Sequence, residues 1–236
     1  MLFTNGMYYI FLIAVFFGYW AVAGRIRLRI VFLLAVSYFF YAVSGGRALL
    51  LLVAISAIDF TTTRLMGRSD DQSKRRRLLL ISLTIDISAL CVFKYAAFFI
   101  QSASGGLSLL GISIPYSSLT IIPPIGISFF IFQSLAYVID VYRKDTEPAL
   151  SYADYLAFVS FFPTIVAGPI LRAKQLLPQL RARLTLDSTT GGQALFLIAI
   201  GLVKKIAIAD YLSANLVERV FDFPERFSSL EVLAAV

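Results

Sequence analysis

The chain has no histidine among its 236 residues and a single cysteine, Cys91. Without histidine, no Ser-His-Asp triad, Cys-His dyad, His-ligated metal or imidazole base can be assembled from these residues alone. One cysteine excludes an internal disulfide and a Cys-rich zinc site. Charge is scarce too. Only 15% of residues are charged, against 59% hydrophobic, where ordinary globular chains carry about 25% charged and 45–50% apolar residues. Mean hydropathy is +0.82. Such a composition excludes disorder and leaves too little polar surface for a water-soluble fold. It implies an all-α polytopic membrane protein.

What is present is a series of long apolar runs. A spanning helix needs about 20 such residues, within a range of about 17–25. Met7–Ala23 qualifies, with Tyr8, Tyr9, Tyr19 and Trp20 at its ends as interfacial anchors. It lacks a basic leader and a clear small-x-small cleavage site, so it reads as a retained helix. Leu28–Val43, Ala48–Phe60 (extensible through Thr61–Thr63), Leu78–Ile100 and Leu119–Tyr142 follow. Tyr152–Leu171 is broken by Pro163 and by Gly168-Pro169. Gln193–Leu212 contains Lys204-Lys205, and Phe227–Val236 resembles the start of another span. The expected fold is a helical bundle with about six to eight membrane segments.

Basic residues orient the bundle. Arg25, Arg27 and Arg29 follow the first span; Arg64, Arg68 and Lys74 through Arg77 follow the third. Placing these in the cytoplasm puts the N-terminus outside the inner membrane. Residues 101–120 carry no charge, and the late loop with Asp210, Glu218, Asp222 and Glu225 is mildly acidic, as outer segments should be. The net charge of +7 is thus explained by inner loops, with no nucleic acid partner required. The run Lys74–Arg77 could also touch anionic lipid head groups.

One segment breaks the alternation. Arg143 and Lys144 precede Tyr152–Leu171, and Arg172, Lys174, Arg181 and Arg183 follow it. Both flanks favour the cytoplasm, so this segment is expected to enter and return without crossing. Its prolines and glycine agree, because irregular backbone at membrane depth survives where it is buried in protein or lines a cavity.

Ionisable residues inside spans are costly and turn toward the bundle interior or water. Asp59, Asp86, Lys94, Asp140 and Lys204-Lys205 are of this kind. Asp86 and Lys94 are about 2.2 turns apart, too far to pair. Asp140 and Arg143 have the spacing of an i,i+3 helix pair. Snorkelling or interhelical ion pairs would account for each of these residues structurally. Gln133, Tyr137 and Asp140 recur at helical spacing, which makes one polar stripe on an apolar helix. Such a stripe either glues helices together or lines a polar tunnel, and the residues alone support both. Gly126, Ser134 and Ala136 permit close helix approach.

Pro124–Arg143 (PIGISFFIFQSLAYVIDVYR) resembles a signature of the membrane-bound O-acyltransferase family, especially its bacterial alginate O-acetylation branch. Tyr155–Arg172 (YLAFVSFFPTIVAGPILR) resembles a second, through Phe162-Pro163 and Ala167-Gly168-Pro169-Ile170. Phe93-Lys94-Tyr95 with Phe98-Phe99 is a weaker third match, and the opening Met1-Leu2-Phe3 is also similar to that branch. The likeness extends over roughly Arg29 to Leu212.

This resemblance implies a membrane-embedded O-acetyltransferase, with a bundle surrounding a funnel. Acetyl-CoA or another acyl thioester would serve as donor from the cytoplasm, with no bound cofactor or metal. The acceptor would be hydroxyls of an extracellular polysaccharide such as alginate. Expected partners are membrane lipids, the polysaccharide and a periplasmic or extracellular acyl-transfer protein. The family's essential histidine lies in the second half of its members, so no catalytic residue is assigned here. Residues 1–236 are expected to be the N-terminal part of one such domain, truncated before the catalytic half, and inactive alone. Pro163, Gly168, Pro169 and Arg172 are assigned to the re-entrant segment and its cytoplasmic edge. Gln133, Tyr137, Asp140 and Lys94 are candidates for a polar tunnel lining. A broken-helix transporter or flippase and a non-catalytic scaffold of a polysaccharide export complex are the competing readings. No internal symmetry between halves favours the transporter.

Overall fold

The computed structural model describes residues 6–43, 49–96, 98–100, 102, 104, 125–166, 168–185 and 187–235. The sequence features at Met1–Phe3, Ala48, Pro123-Pro124, Ala167 and Val236 lie outside them. All regular structure among the described residues is helical. The chain forms two compact units, Met1–Arg183 and Leu184–Val236.

In the first unit, α1 is Gly6–Ala21, α2 Ile26–Val43, α3 Leu49–Gly67, α4 Gln72–Leu90 and α5 Ile127–Tyr142. Then come α6 Tyr152–Val159, the one-turn α7 Phe162–Ile165 and α8 Ala173–Arg181. Three helical stretches, Ile26–Val43, Leu49–Gly67 and Gln72–Tyr95, are long and apolar enough to cross a membrane; Gly6–Ala21 and Ile127–Tyr142 are apolar but shorter. Helix α3 packs against α4, α5 and α6, and α2 packs against α6, α7 and α8. Their shared core contains Phe40, Met66, Ile131, Tyr137, Tyr155 and Phe158, all buried.

Two helix limits differ from the apolar runs for identifiable reasons. Helix α3 continues well past Phe60, and Thr61, Thr62 and Thr63 fit inside it by donating their hydroxyls to the carbonyls of Ala57, Ile58 and Asp59, at 2.7, 3.0 and 2.6 Å. Side-chain bonding one turn back spares these hydroxyls an unsatisfied position. Helix α4 starts six residues ahead of Leu78, because Asp71 caps it by accepting from the Ser73 amide at 2.8 Å. The basic run Lys74–Arg77 therefore forms the first turns of a helix.

One residue of that run points inward. Arg75 is buried and donates to Met66 O at 2.6 Å, Val141 O at 2.9 Å and Tyr142 O at 2.7 Å. These carbonyls end α3 and α5, so one guanidinium caps two helix C-termini, where cations are favoured. The expectation that Arg75 faces lipid head groups is corrected accordingly. Arg29 plays a parallel part. It is buried on the first turn of α2 and donates to Leu180 O and Ala182 O, at 3.3 and 2.8 Å, at the end of α8.

The second unit contains α9 Ser188–Val203, π-helical turns over Lys204–Asp210 and Ser213–Val217, and the short α10 Glu218–Asp222 and α11 Ser229–Ala235. Asp187 caps α9 by accepting from the Thr190 amide at 2.7 Å. Lys205 pairs with Asp210 five residues on, the spacing that a π-helical turn brings together.

Candidate functional site

Helix α5 carries the first signature, and its start depends on a glycine. Gly126 has φ +76°, and a Cβ there would lie 2.3 Å from the Ile165 carbonyl oxygen. Only glycine combines the left-handed conformation with so close a backbone approach. Ile165 ends α7, within the second signature. The two signature segments therefore touch backbone to backbone at this end.

Along α5 the polar stripe makes specific bonds. Gln133 donates Nε2 to the Phe158 carbonyl at 2.7 Å, a group near the end of α6. The Tyr137 hydroxyl accepts from the Ala149 amide at 2.9 Å and lies 3.3 Å from Thr63 Oγ1, whose one proton is given to the Asp59 carbonyl. Both side chains are buried, so they bind helices and the following loop together. One turn on, Asp140 accepts from Arg172 Nη1 at 3.0 and 3.2 Å. The anticipated partner, Arg143, instead stands 3.9 Å from Asp145. Asp140 prefers Arg172 because α5 ends just past it and its side chain turns toward the chain leaving α7. That ion pair is the second tie between the signatures. A cleft of about 540 Å³ opens beside it, lined by Phe132, Ala136, Ile139 and Ile170 with Arg143 and Arg172.

The second signature is visibly interrupted. The eight residues of α6 end at Val159, α7 lasts four residues, and Gly168 to Leu171 is not helical. At 1.5 Å per residue, α6 rises about 12 Å, against about 30 Å for a hydrocarbon core. Pro163 sits in the first turn of α7, where a missing N–H costs nothing. A Cβ at Gly168 would lie 2.4 Å from Thr164 Cα, so glycine lets the chain fold back over the short helix. Pro169 is exposed beyond it.

Lys94 stands apart from this constellation. It is exposed on the π-helical turn Cys91–Tyr95, with Nζ 5.3 Å from the Tyr95 ring centroid. Among the described residues it makes no bond to Gln133, Tyr137 or Asp140.

The densest polar cluster joins residues that sequence reasoning did not combine. Ser134 donates to Asp59 Oδ2, and its hydroxyl lies 2.6 Å from the Tyr155 hydroxyl. With the serine proton committed to the carboxylate, Tyr155 is the donor to Ser134. Thr62 and Ser82 bridge the packed helices α3 and α4 at 2.6 Å; one turn before Thr62 and one turn after Ser82, the buried Asp59 and Asp86 fall on that same interface. The sequence holds a usable signal for this cluster. Ser56, Asp59 and Thr63 share one face of α3, as Ser82 and Asp86 share one face of α4, by helical spacing.

At the helix ends, Ser151 caps α6 through the Asp154 amide at 3.2 Å, and Asp154 takes a forked pair from Arg181 at 2.6 and 3.1 Å. Hydrogen bonding to Asp154 holds the Arg181 guanidinium above its ordinary range. No group of three or more acidic or cysteine side chains capable of holding a metal occurs among the described residues. Chemically, the site fixes two backbone segments against each other and keeps Asp140 engaged by a cation.

No family model and no solved structure matches the chain. Curated relatives do. The probable alginate O-acetylase AlgI of Pseudomonas syringae pv. tomato is 34% identical over 215 residues, covering 90% of this chain and 41% of the relative. AlgI of Pseudomonas aeruginosa is 35% identical over 216 residues, covering 91% and 41%. The peptidoglycan O-acetyltransferase of Helicobacter pylori is 29% identical over 186 residues, covering 68% and 34%. Over nine tenths of its length the chain is similar in sequence to these probable alginate O-acetylases. It spans about two fifths of the length of the alginate relatives. A match over nine tenths of the chain takes in the joined α5 and α6–α7 segments.

Proposed function

We propose that this chain forms the front wall of a membrane O-acetyltransferase that esterifies hydroxyls of an extracellular polysaccharide, alginate being the first candidate. The observation that carries this reading is identity of 34–35% to alginate O-acetylases across nine tenths of the chain. The geometry supports it, because the two signatures are held together at both ends, by Gly126 against Ile165 and by Asp140 with Arg172. Tyr152–Leu171 enters the membrane from the cytoplasm and returns, and Pro163, Gly168 and Pro169 shape that return. Arg172 sits at the cytoplasmic edge. The N-terminus lies outside the inner membrane, and the bundle has six to eight segments. An acyl thioester such as acetyl-CoA donates the acetyl group, and a periplasmic or extracellular protein assists its onward transfer. Acyl transfer to a hydroxyl needs a base near neutral pKa. With no histidine in these 236 residues, that base comes from residues outside them, and this chain alone is inactive.

Disrupting the gene tests the reading. Ester-linked acetate released by mild alkali from the cells' extracellular polysaccharide should fall sharply. Unchanged acetate would refute it. The purified chain alone, given labelled acetyl-CoA and alginate, should transfer no label; clear turnover would overturn the assignment of the base.

A further inference from the structure

Asp59 and Asp86 are fully buried within membrane-length helices, α3 and α4. Asp59 Oδ1 and both carboxyl oxygens of Asp86 have no hydrogen-bond partner among the described residues. Among the described residues, no lysine or arginine is paired with either carboxylate. The groups around them are hydroxyls: Ser134 and Tyr137 from α5, Tyr155 from α6 and Ser82 from α4. The serine proton is already committed to Asp59 Oδ2. Two ionised carboxylates facing each other in a buried interior would repel and would both lose solvation, a cost of several kcal/mol per ion.

We propose that Asp59 and Asp86 act as one acid, sharing a single proton in a carboxyl–carboxylate hydrogen bond that closes α3 on α4. The shared proton supplies the donor that the facing oxygens otherwise lack. It leaves one negative charge, spread over the pair and steadied by Ser134. A hard cation is the weaker occupant. Calcium takes about six to eight oxygens, and the described residues gather no cluster of three or more ligands of the acidic or cysteine kind. Through Asp59 the pair is bonded to Ser134 of the first signature, whose hydroxyl meets Tyr155 of the second, so its proton supports the junction of both.

The proposal has a pH consequence with a definite sign. The folded chain retains a proton that the unfolded chain releases at neutral pH, so stability falls as pH rises. Infrared spectroscopy of the purified chain in detergent micelles at neutral pH should show the C=O stretch of an un-ionised carboxyl group. Asp59→Asn and Asp86→Asn should each remove it, and Asp140→Asn should leave it. Asp86→Asn also supplies an N–H where the proton stood. Its thermal midpoint should therefore hold between neutral and alkaline pH while that of the unsubstituted chain drops. Absence of the signal from the folded unsubstituted chain, or its survival in both variants, overturns the proposal. So does thermal stabilisation by sodium or calcium that Asp86→Asn abolishes, because that result identifies a cation site.

Discussion

Gly126→Ala probes the junction on which the two signature segments depend. Its cost has two parts. The backbone at φ +76° penalises an L side chain by about 1–2 kcal/mol. The new methyl would lie 2.3 Å from the Ile165 carbonyl oxygen and 3.2 Å from its carbon. Relief requires α5 or α7 to move by roughly 1 Å, an overpacking cost of about 1–3 kcal/mol. Together these reach about 2–5 kcal/mol, a large part of the 5–15 kcal/mol that holds a typical domain together. The assay is the fraction of protein remaining monodisperse after stepwise heating in detergent, read by size-exclusion chromatography. Gly126→Ala should lower the midpoint markedly. Gly201→Ala in α9, where an added Cβ meets nothing within 4 Å, should leave the midpoint unchanged or raise it slightly. Gly126→Asn separates the two parts, since asparagine tolerates the left-handed region but still carries a Cβ. Asparagine matching alanine identifies the clash as dominant, and asparagine much milder than alanine identifies the backbone. A Gly126→Ala midpoint equal to that of Gly201→Ala would refute the close approach altogether.

Four further outcomes are expected. Arg75→Ala removes one donor from each of three carbonyls ending α3 and α5, two of which keep a longer backbone bond; the loss should be about 2–3 kcal/mol, and Arg75→Lys should recover less than half, because an ammonium cannot fork across two helix ends. A double-mutant cycle on Asp140 and Arg172 should give a coupling of about 1 kcal/mol, the upper part of the range for exposed pairs, because Arg172 is half exposed while Asp140 is buried; zero coupling would show that the two signatures are not tied there. Gln133→Leu should destabilise by about 1–2 kcal/mol by leaving the Phe158 carbonyl only its long 3.5 Å bond from the Phe161 amide, and a neutral result would mean that the backbone bond or water satisfies that carbonyl. In a Cys91→Ser background, cysteines at Leu150 and Ser188 should both react only with cytoplasmic reagent, and labelling from opposite sides would exclude a re-entrant Tyr152–Leu171.

Composition and apolar run length fix the class of this protein, because about 30 Å of hydrocarbon demands long apolar helices whatever their partners. Sequence spacing likewise shows that Gln133, Tyr137 and Asp140 share a face of one helix, and that Tyr152–Leu171 is interrupted. Both are local properties of the backbone and its periodicity. Partner choice is not local. The i,i+3 rule pairs Asp140 with Arg143, but the close of α5 turns the carboxylate toward Arg172, 32 residues on. A run of four basic residues reads as a cytoplasmic loop, yet one of them turns inward to cap two helices. Asp59, Ser134 and Tyr155 meet only because three helices converge on one point, a condition that no window of sequence contains. Solvent and lipid act on each segment separately, so the sequence determines the membrane fold class by itself. Buried hydrogen bonds and charges must be satisfied by whatever the packing brings near, so the site was decided by the tertiary structure.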